Sequence, residues 1–365
     1  MSRARLLLLT LSLICTVSPS LAGTLATFPE LHASVVLDAI STEDDKAMSP
    51  TTFFPGTDRF AIREAALEAV GRYGEQVDYI VKGGTATCLG NTTFQLLEAS
   101  VMMRLGHGWR VGFEKSHVLR GFINFEECTD QLVAEKPNFS TILAPCHPTG
   151  FKADWQGELG TWPLRAQLAL LNGADGSLED EHDYNLGLYL NPPVRGLTLS
   201  GYYNDVAFLT GEWSPQGTAT SADGHRWGLG ARYHTRRLEL QGELFGAKGF
   251  PMAITGPAPA ELLADDRTDF YANHQMNFAY IQAGYHIPTH GESVPEVVPY
   301  IRYQSWNRNS QADGDHTSAY ITYGLLLPLA AENALFRLDY ERPVETPKGL
   351  AQEAARMIAR VQITI

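Results

Sequence analysis

Residues 227–233 read WGLGARY. In an extended chain Trp227, Leu229, Ala231 and Tyr233 fall on one face and Gly228, Gly230 and Arg232 on the other, because successive strand side chains point to opposite sides. The two-residue period returns in 238–244 (LELQGEL), where Leu238, Leu240 and Leu244 oppose Glu239, Gln241 and Glu243. It returns in 334–341 (ALFRLDYE), with Phe336, Leu338 and Tyr340 against Arg337, Asp339 and Glu341. In 357–365 it runs to the last residue: Ala359, Val361, Ile363 and Ile365 against Arg360, Gln362 and Thr364. A helix would repeat every 3.6 residues instead. The polar faces are rich in charge and the apolar faces nearly continuous, which suits strands with lipid outside and water inside.

The connections sort by length. Short ones fall at 71–76, 105–108, 160–163, 191–196, 234–237, 286–296 and 330–333. Long ones fall at 41–56, 85–91, 116–150, 172–183, 209–225, 248–275, 307–316 and 342–353. Seven short and eight long connections separate sixteen strands, an even number with tight turns at one end and long loops at the other. The expected fold is therefore an all-β, transmembrane antiparallel β-barrel of sixteen strands, a size that leaves an aqueous channel. Closure requires the last strand to pair with the first, at 31–40 (LHASVVLDAI). Weak patterning near 77–84 and 151–159 leaves fourteen and eighteen strands as alternatives. A soluble sandwich is the competing architecture, but it has no reason to alternate its loops by length.

Composition narrows the class further. No internal stretch of the 365 residues reaches the ~18 apolar residues of a membrane helix. The formal net charge of −13 argues against nucleic acid as a partner held by bulk positive charge. Residues 1–22 read as a secretory signal, with Arg3 and Arg5, the apolar run LLLLTLSLIC at 6–15, and small residues around Ser20 and Ala22. Residues 23–365 then form the barrel domain. Export permits disulfides among Cys88, Cys128 and Cys146. A Cys128–Cys146 bridge inside the 116–150 loop is expected, closing about 18 residues for roughly 3 kcal/mol in the chain-entropy model. A bridge from Cys88 to either partner is the alternative.

The alternation assigns inward-facing charges. On the first six strands these are Asp38, Glu64, Glu68, Glu98, Glu114, Asp154 and Glu158, with Lys82, Arg104, Arg110 and Lys152. On the last ten they are Arg165, Arg232, Arg302, Arg337, Arg356 and Arg360, with Glu239, Glu243, Asp339 and Glu341. Acidic and basic walls facing each other would set up a transverse field; salt bridges between neighbours are the plainer outcome, with Asp339 or Glu341 balancing Arg337 and Arg360. Trp109, Tyr184, Tyr203, Trp227, Tyr285, Tyr323 and Tyr340 suit interfacial girdles, while Tyr202, Tyr280 and Tyr320 face inward. His182, His225, His274, His290 and His316 lack metal-ligand spacing, so no metal or cofactor is expected. Asp180, His182 and Asp183, and Asp269 with His274, cluster without a nucleophile, so no enzyme is expected either.

The segments DRFAIREAALEAVGRYGEQVDYIV (58–81) and LLEASVMMRLGHGWRVGFEKSHVLRGF (96–122) carry a resemblance. Phe60, Arg63, Ala65 or Ala66 and Leu67, then 97–103, then Val111, Gly112 and Lys115, resemble strand motifs of the phosphate-selective porin O/P family. The resemblance implies a sixteen-stranded, trimeric outer-membrane porin. The chain differs from that family in its acidic balance and in ending on Ile365 where such porins end on an aromatic residue. In sixteen-stranded porins the loop corresponding to 116–150 folds inward and narrows the pore; here it holds Arg120, Glu126, Glu127 and Asp130. Acidic residues in 41–56 and 172–183 read first as a solvated surface; the alternative is that they repel anions at the mouth and hold divalent ions beside lipopolysaccharide phosphates. The expected function is passive diffusion of small hydrophilic solutes and ions across the bacterial outer membrane, with a weak lean toward cations. The alternatives are a phosphate or anion channel, and a barrel that sheathes an electron-transfer cytochrome or serves as a surface adhesin.

Overall fold

A computed structural model describes residues 29–42, 59–86, 91–125, 131–137, 140–143, 147–172, 182–213, 219–255, 258, 260, 262, 264–311, 316–329, 333–346 and 354–365. Sixteen long strands form the wall. They are β1 (Glu30–Thr42), β2 (Arg59–Tyr73), β3 (Val77–Ala86), β4 (Asn91–Gly106), β5 (Trp109–Lys115), β6 (Thr149–Leu159), β7 (Trp162–Asn172), β8 (His182–Leu190), β9 (Leu197–Trp213), β10 (Ala219–His234), β11 (Leu238–Lys248), β12 (Gln275–Tyr285), β14 (Glu296–Asn307), β15 (Thr317–Pro328), β16 (Ala334–Glu345) and β17 (Arg356–Thr364). The two-residue β13 (Ile287–Pro288) only extends the β12–β14 hairpin, pairing with Val297 and Glu296. Short helices lie between strands: α1 (Gly121–Phe125), α2 (Ser140–Leu143), α3 (Met252–Thr255) and α4 (Ala264–Asn273).

Each long strand pairs antiparallel with the next, and β1 pairs with β17 from Ser34↔Thr364 to Thr42↔Arg356. That last pairing closes the barrel at sixteen strands. The weakly patterned segments are full strands, β3 and β6. The main difference from expectation lies at 209–225, read as a loop. The β9–β10 ladder continues through Ser221↔Leu209 to Ala219↔Trp213, so most of this segment is a hairpin that prolongs the wall. Backbone pairing does not depend on an apolar outer face, so a strand can run on where the alternation fades.

Two β-bulges alter where side chains point. Between β1 and β2 the register steps from Val36↔Glu64 to Leu37↔Ile62, which leaves Arg63 as the extra residue. Between β3 and β4 it steps from Lys82↔Glu98 to Gly83↔Leu96, which leaves Leu97 as the extra residue. A bulge lets two consecutive residues share a face, so Arg63 with Glu64, and Leu97 with Glu98, all turn inward.

The outward face is an apolar belt. Ile281 is 60% exposed, Leu229 61% and Leu244 59%, values that a water-facing strand would not sustain all round a barrel. Tyr73, Trp109, Trp162 and Tyr285 are exposed beside the short turns, and Tyr184, Tyr203 and Trp227 toward the long loops. That is the girdle arrangement of a barrel spanning a bilayer. No helix among the described residues is long and apolar enough to cross one. The buried apolar clusters lie inside, where loop residues meet the wall: Ile123 and Leu143 pack with Phe245, Phe278 and Tyr280, and Leu132 and Val133 with Val298 and Tyr300.

Leu338 lies on the outer face between Leu325 and Ala359, so Leu338→Arg should cost about 2–4 kcal/mol near the bilayer midplane. Thr364→Arg, on the inner face, should cost far less. Equilibrium unfolding in urea from lipid vesicles compares the two, and equal losses would contradict the assignment of faces.

Candidate functional site: the loop inside the barrel

The connection between β5 and β6 leaves the wall at Ser116 and re-enters it at Thr149. Its described residues turn into the barrel and touch strands around most of the circumference. On one side the Leu119 amide donates to Gln167 Oε1 of β7 at 2.8 Å, and Arg120 Nε donates to Asn185 Oδ1 of β8 at 3.2 Å. Glu243 of β11 accepts from the amides of Phe122 at 2.8 Å and Ile123 at 3.0 Å. On the other side the Ala134 amide donates to Asp339 of β16 at 2.9 Å, and Arg302 of β14 donates to the Glu135 carbonyl at 2.6 Å. Glu135 also meets Arg63 of β2 at 2.7 Å and Arg360 of β17 at 3.2 Å.

Local sequence explains how the loop reaches the wall. Gly121 has φ +76° and its α-carbon faces Glu243 so closely that a Cβ there would strike the carboxylate. Only glycine takes that conformation without strain, and it delivers the next two amides to one carboxylate. Gly187 of β8 plays the matching part in the wall, since a Cβ there would collide with the Leu119 carbonyl. At the stem Lys152 donates to the carbonyls of Ser116 at 3.0 Å and His117 at 3.1 Å, and pairs with Glu114 at 3.2 Å.

The other inward charges largely meet neighbours. Glu64 meets Lys82 at 3.4 Å and accepts from Ser34 at 2.9 Å, and Glu68 lies opposite Lys82 in the β2–β3 ladder. Arg110 and Arg165 share Asp154 at 2.8 and 3.0 Å, while Arg104 holds Asp78 at the exposed end of β4. Arg232 donates to Gln241 at 2.7 Å and lies over the Phe122 ring. The pairing suggested for Arg337 and Arg360 differs in the structure. Arg360 makes two bonds of 2.7 Å to Asp38, Arg337 donates to Gln362 at 2.9 Å, and Glu341 meets Arg302 at 3.4 Å and Arg356 at 2.8 Å. Asp339 accepts from Tyr300 and from the loop. Acid and base thus alternate along the wall more than they divide it into opposed halves.

Although the Asp183 carboxylate acts on it electrostatically, Arg120 makes no direct ion pair among the described residues. Its Nη1 and Nη2 have no hydrogen-bond partner among the described residues, although the side chain is fully buried. Burial pulls the guanidinium down to about 10, so it still carries its charge at neutral pH. Glu126, Glu127 and Asp130, and Cys88, Cys128 and Cys146, lie outside the described residues. Tyr280, one of the inward tyrosines, donates to Glu243 at 2.6 Å.

Of the acid–histidine groupings read from the sequence, Asp180 lies outside the described residues; Asp183 accepts from the Ala207 amide at 3.0 Å and His274 meets the Arg308 carbonyl at 2.8 Å. Nor do the five histidines considered as metal ligands converge. Among the described residues the group that does converge is Glu98, His117 and His147, whose donor atoms lie within 4.8 Å of one another. The spacing of 98, 117 and 147 carries no linear motif. The clue available in the sequence was that two histidines stand near the two ends of one loop.

No protein-family model matches the chain. No curated protein matches it either. The resemblance to phosphate-selective porins therefore rests on strand patterns alone. Solved structures do match across nearly the whole chain. The outer membrane channel DcaP of Acinetobacter baumannii superposes with a TM-score of 0.60 at 9% identity, over 92% of this chain and 97% of that one. Pseudomonas putida OprB gives 0.61 at 10%, over 93% and 94%. The anion-selective porin from Comamonas acidovorans gives 0.55 at 14%, over 93% and 99%. At these identities the likeness is one of fold: this chain has the sixteen-stranded barrel of outer-membrane porins.

Glu243→Ala should leave two loop amides and the Tyr280 hydroxyl without their acceptor, at about 1–3 kcal/mol for each buried donor left unsatisfied. The expected outcome is faster protease cleavage within 116–148 while the barrel keeps its strand content by circular dichroism. An unchanged cleavage rate would mean that the loop is held from elsewhere.

Proposed function

We propose that the chain is an outer-membrane porin, exported through the signal at 1–22, that passes small hydrophilic solutes and ions by passive diffusion. The observation that carries this reading is a loop folded into a closed, lipid-facing barrel and tied to strands on both sides of it. Such a loop narrows an aqueous lumen without sealing the barrel's ends. It also leaves little room for a second protein inside, which weighs against a cytochrome sheath. A homotrimer embedded among lipopolysaccharide fits the same reading, and one of the similar structures, OmpT of Vibrio cholerae, is described as a trimer.

One observation favours the second reading, an anion preference. Arg120 on the inward loop has two donor nitrogens unengaged, and Arg226 of β10 turns its guanidinium to the carbonyls of Lys248 at 2.5 Å and Gly249 at 2.6 Å; the carboxylate that acts on both is the single Asp183, two cations to one acid. The acidic residues that argued for cations lie mainly in outer loops beyond the described residues. A charged guanidinium set in the protein wall beside the ion path is screened less than a charge in the open water of the mouth.

Purified protein in a planar bilayer should give stepwise conductance, and a KCl gradient should give a small reversal potential. Arg120→Ala should move that potential toward cations. Absence of steps would overturn the channel reading, and an unmoved potential would take Arg120 off the ion path.

A further inference from the structure

We propose that Glu98, His117 and His147 form a binding site for a divalent transition-metal ion of the Zn²⁺ class, placed where the inward loop leaves and rejoins the wall. Three placements converge there. The β5–β6 ladder ends at Lys115↔Thr149, and the Ser116 amide still donates to the Pro148 carbonyl at 3.3 Å. One step further, the same antiparallel register sets His117 opposite His147. Their rings stand edge to face with centroids 4.3 Å apart. Glu98 of β4, inward in the same phase as Ser100 and Met102, stands beside them, and its Oε1 lies 3.5 Å from His147 Nε2.

The geometry is close to what an ion requires. Metal–ligand bonds of about 2.0–2.1 Å around a tetrahedral ion separate neighbouring donors by about 3.4 Å. The Glu98–His147 separation already has that value, and the whole set lies within 4.8 Å. Two imidazoles and one carboxylate suit a borderline ion such as Zn²⁺, whereas Mg²⁺ and Ca²⁺ call for oxygen ligands. Three protein ligands leave a fourth position for water. Lys82 stands opposite Glu98 in the β3–β4 ladder and also meets Glu64 at 3.4 Å, and Lys152 meets Glu114 at 3.2 Å, so the cations around the group share their charge with other carboxylates. Glu98 and His117 are both 7% exposed, so an ion bound by them would be shielded from bulk water.

A bound ion would join both stems of the loop to β4. It would fix the loop at its root, where the contacts to Glu243 and Asp339 fix its interior. The proposal stands independently of whether the barrel conducts.

Its test uses untagged full-length protein in detergent, stripped of metal and titrated with Co²⁺ as a spectroscopic probe, then with Zn²⁺. The wild-type protein should bind one Co²⁺ per chain, with the intense visible bands of low-coordinate cobalt, and release it to Zn²⁺. His117→Ala and His147→Ala should each weaken binding by about tenfold or more. His182→Ala, at the exposed start of β8, should leave it unchanged. Glu98→Gln preserves shape and hydrogen-bonding capacity, so it serves as the test if a histidine variant does not fold; it too should weaken binding. Zn²⁺ should slow protease cleavage within 116–148 in the wild type and not in Glu98→Gln. No stoichiometric Co²⁺ binding by the wild type, or binding unaltered in the folded variants, would overturn the site.

Discussion

Inside a bilayer no water is available to the backbone, so every N–H and C=O at that depth has to be satisfied within the protein. A sheet meets this demand only if it has no edge, and here the meeting of β1 with β17 removes it. The pairing runs to the last residue, with the Ala33 and Ile365 backbones exchanging bonds of 2.9 and 2.8 Å. On the inner side of the same seam Arg360 grips Asp38 with two bonds of 2.7 Å. Closure then fixes everything else: one side of every strand faces lipid, the other encloses a space, and the two-residue period of the sequence becomes a difference between outside and inside.

The enclosed space is occupied by the protein's own chain. Glu243 and Asp339 accept from loop amides, and Arg302 and Arg360 donate to loop carbonyls. A carboxylate or guanidinium directed at the backbone recognises the path of the loop and not its side chains. The charge-assisted bonds are stronger than neutral ones, which offsets part of the cost of keeping these groups from water. Apolar contacts complete the support: Ile123 and Leu143 on one wall, Leu132 and Val133 on another, Val118 against Ala169 and Leu171 on a third. The loop is thus braced like a strut, by polar contacts along its backbone and by packing between them.

How much of this was legible depended on distance in the sequence. The strands were readable because a face is a local property: Leu238, Leu240 and Leu244 announce it within seven residues. The turns were readable because they interrupt it. The segment 209–225 was misread because above the lipid a strand has no need of an apolar face, and the signal ends before the strand does. Partners were not readable. Which carboxylate meets Arg360 depends on closure, which brings Asp38 from the other end of the chain, and on the loop, which brings Glu135. Arg63 gave no sign of facing inward, because a bulge moves it there. Glu98 was legible as an inward residue, but its meeting with His117 and His147 was not, because the return of the loop assembles the three and is not written as a spacing.

The overall charge is a poor guide to the interior for a related reason. A net −13 sums loops and lumen together, although the two act on an ion differently. Charges at the mouth work through water and are screened beyond about 8 Å at physiological ionic strength. Inside, the wall carries both signs in close pairs, and a pair presents only a dipole to an ion passing at several ångströms. Arg110 with Arg165 around Asp154, and Arg302 with Arg356 around Glu341, set two cations against one carboxylate, so each group contributes its one unmatched positive charge and not two. What an ion in the lumen meets is the remainder after pairing, and Arg120, hydrogen-bonded to Asn185 and sharing Asp183 with Arg226, belongs to that remainder. The sign of the interior is consequently set by which charges lack an opposite partner, and a sum over the sequence does not contain that information.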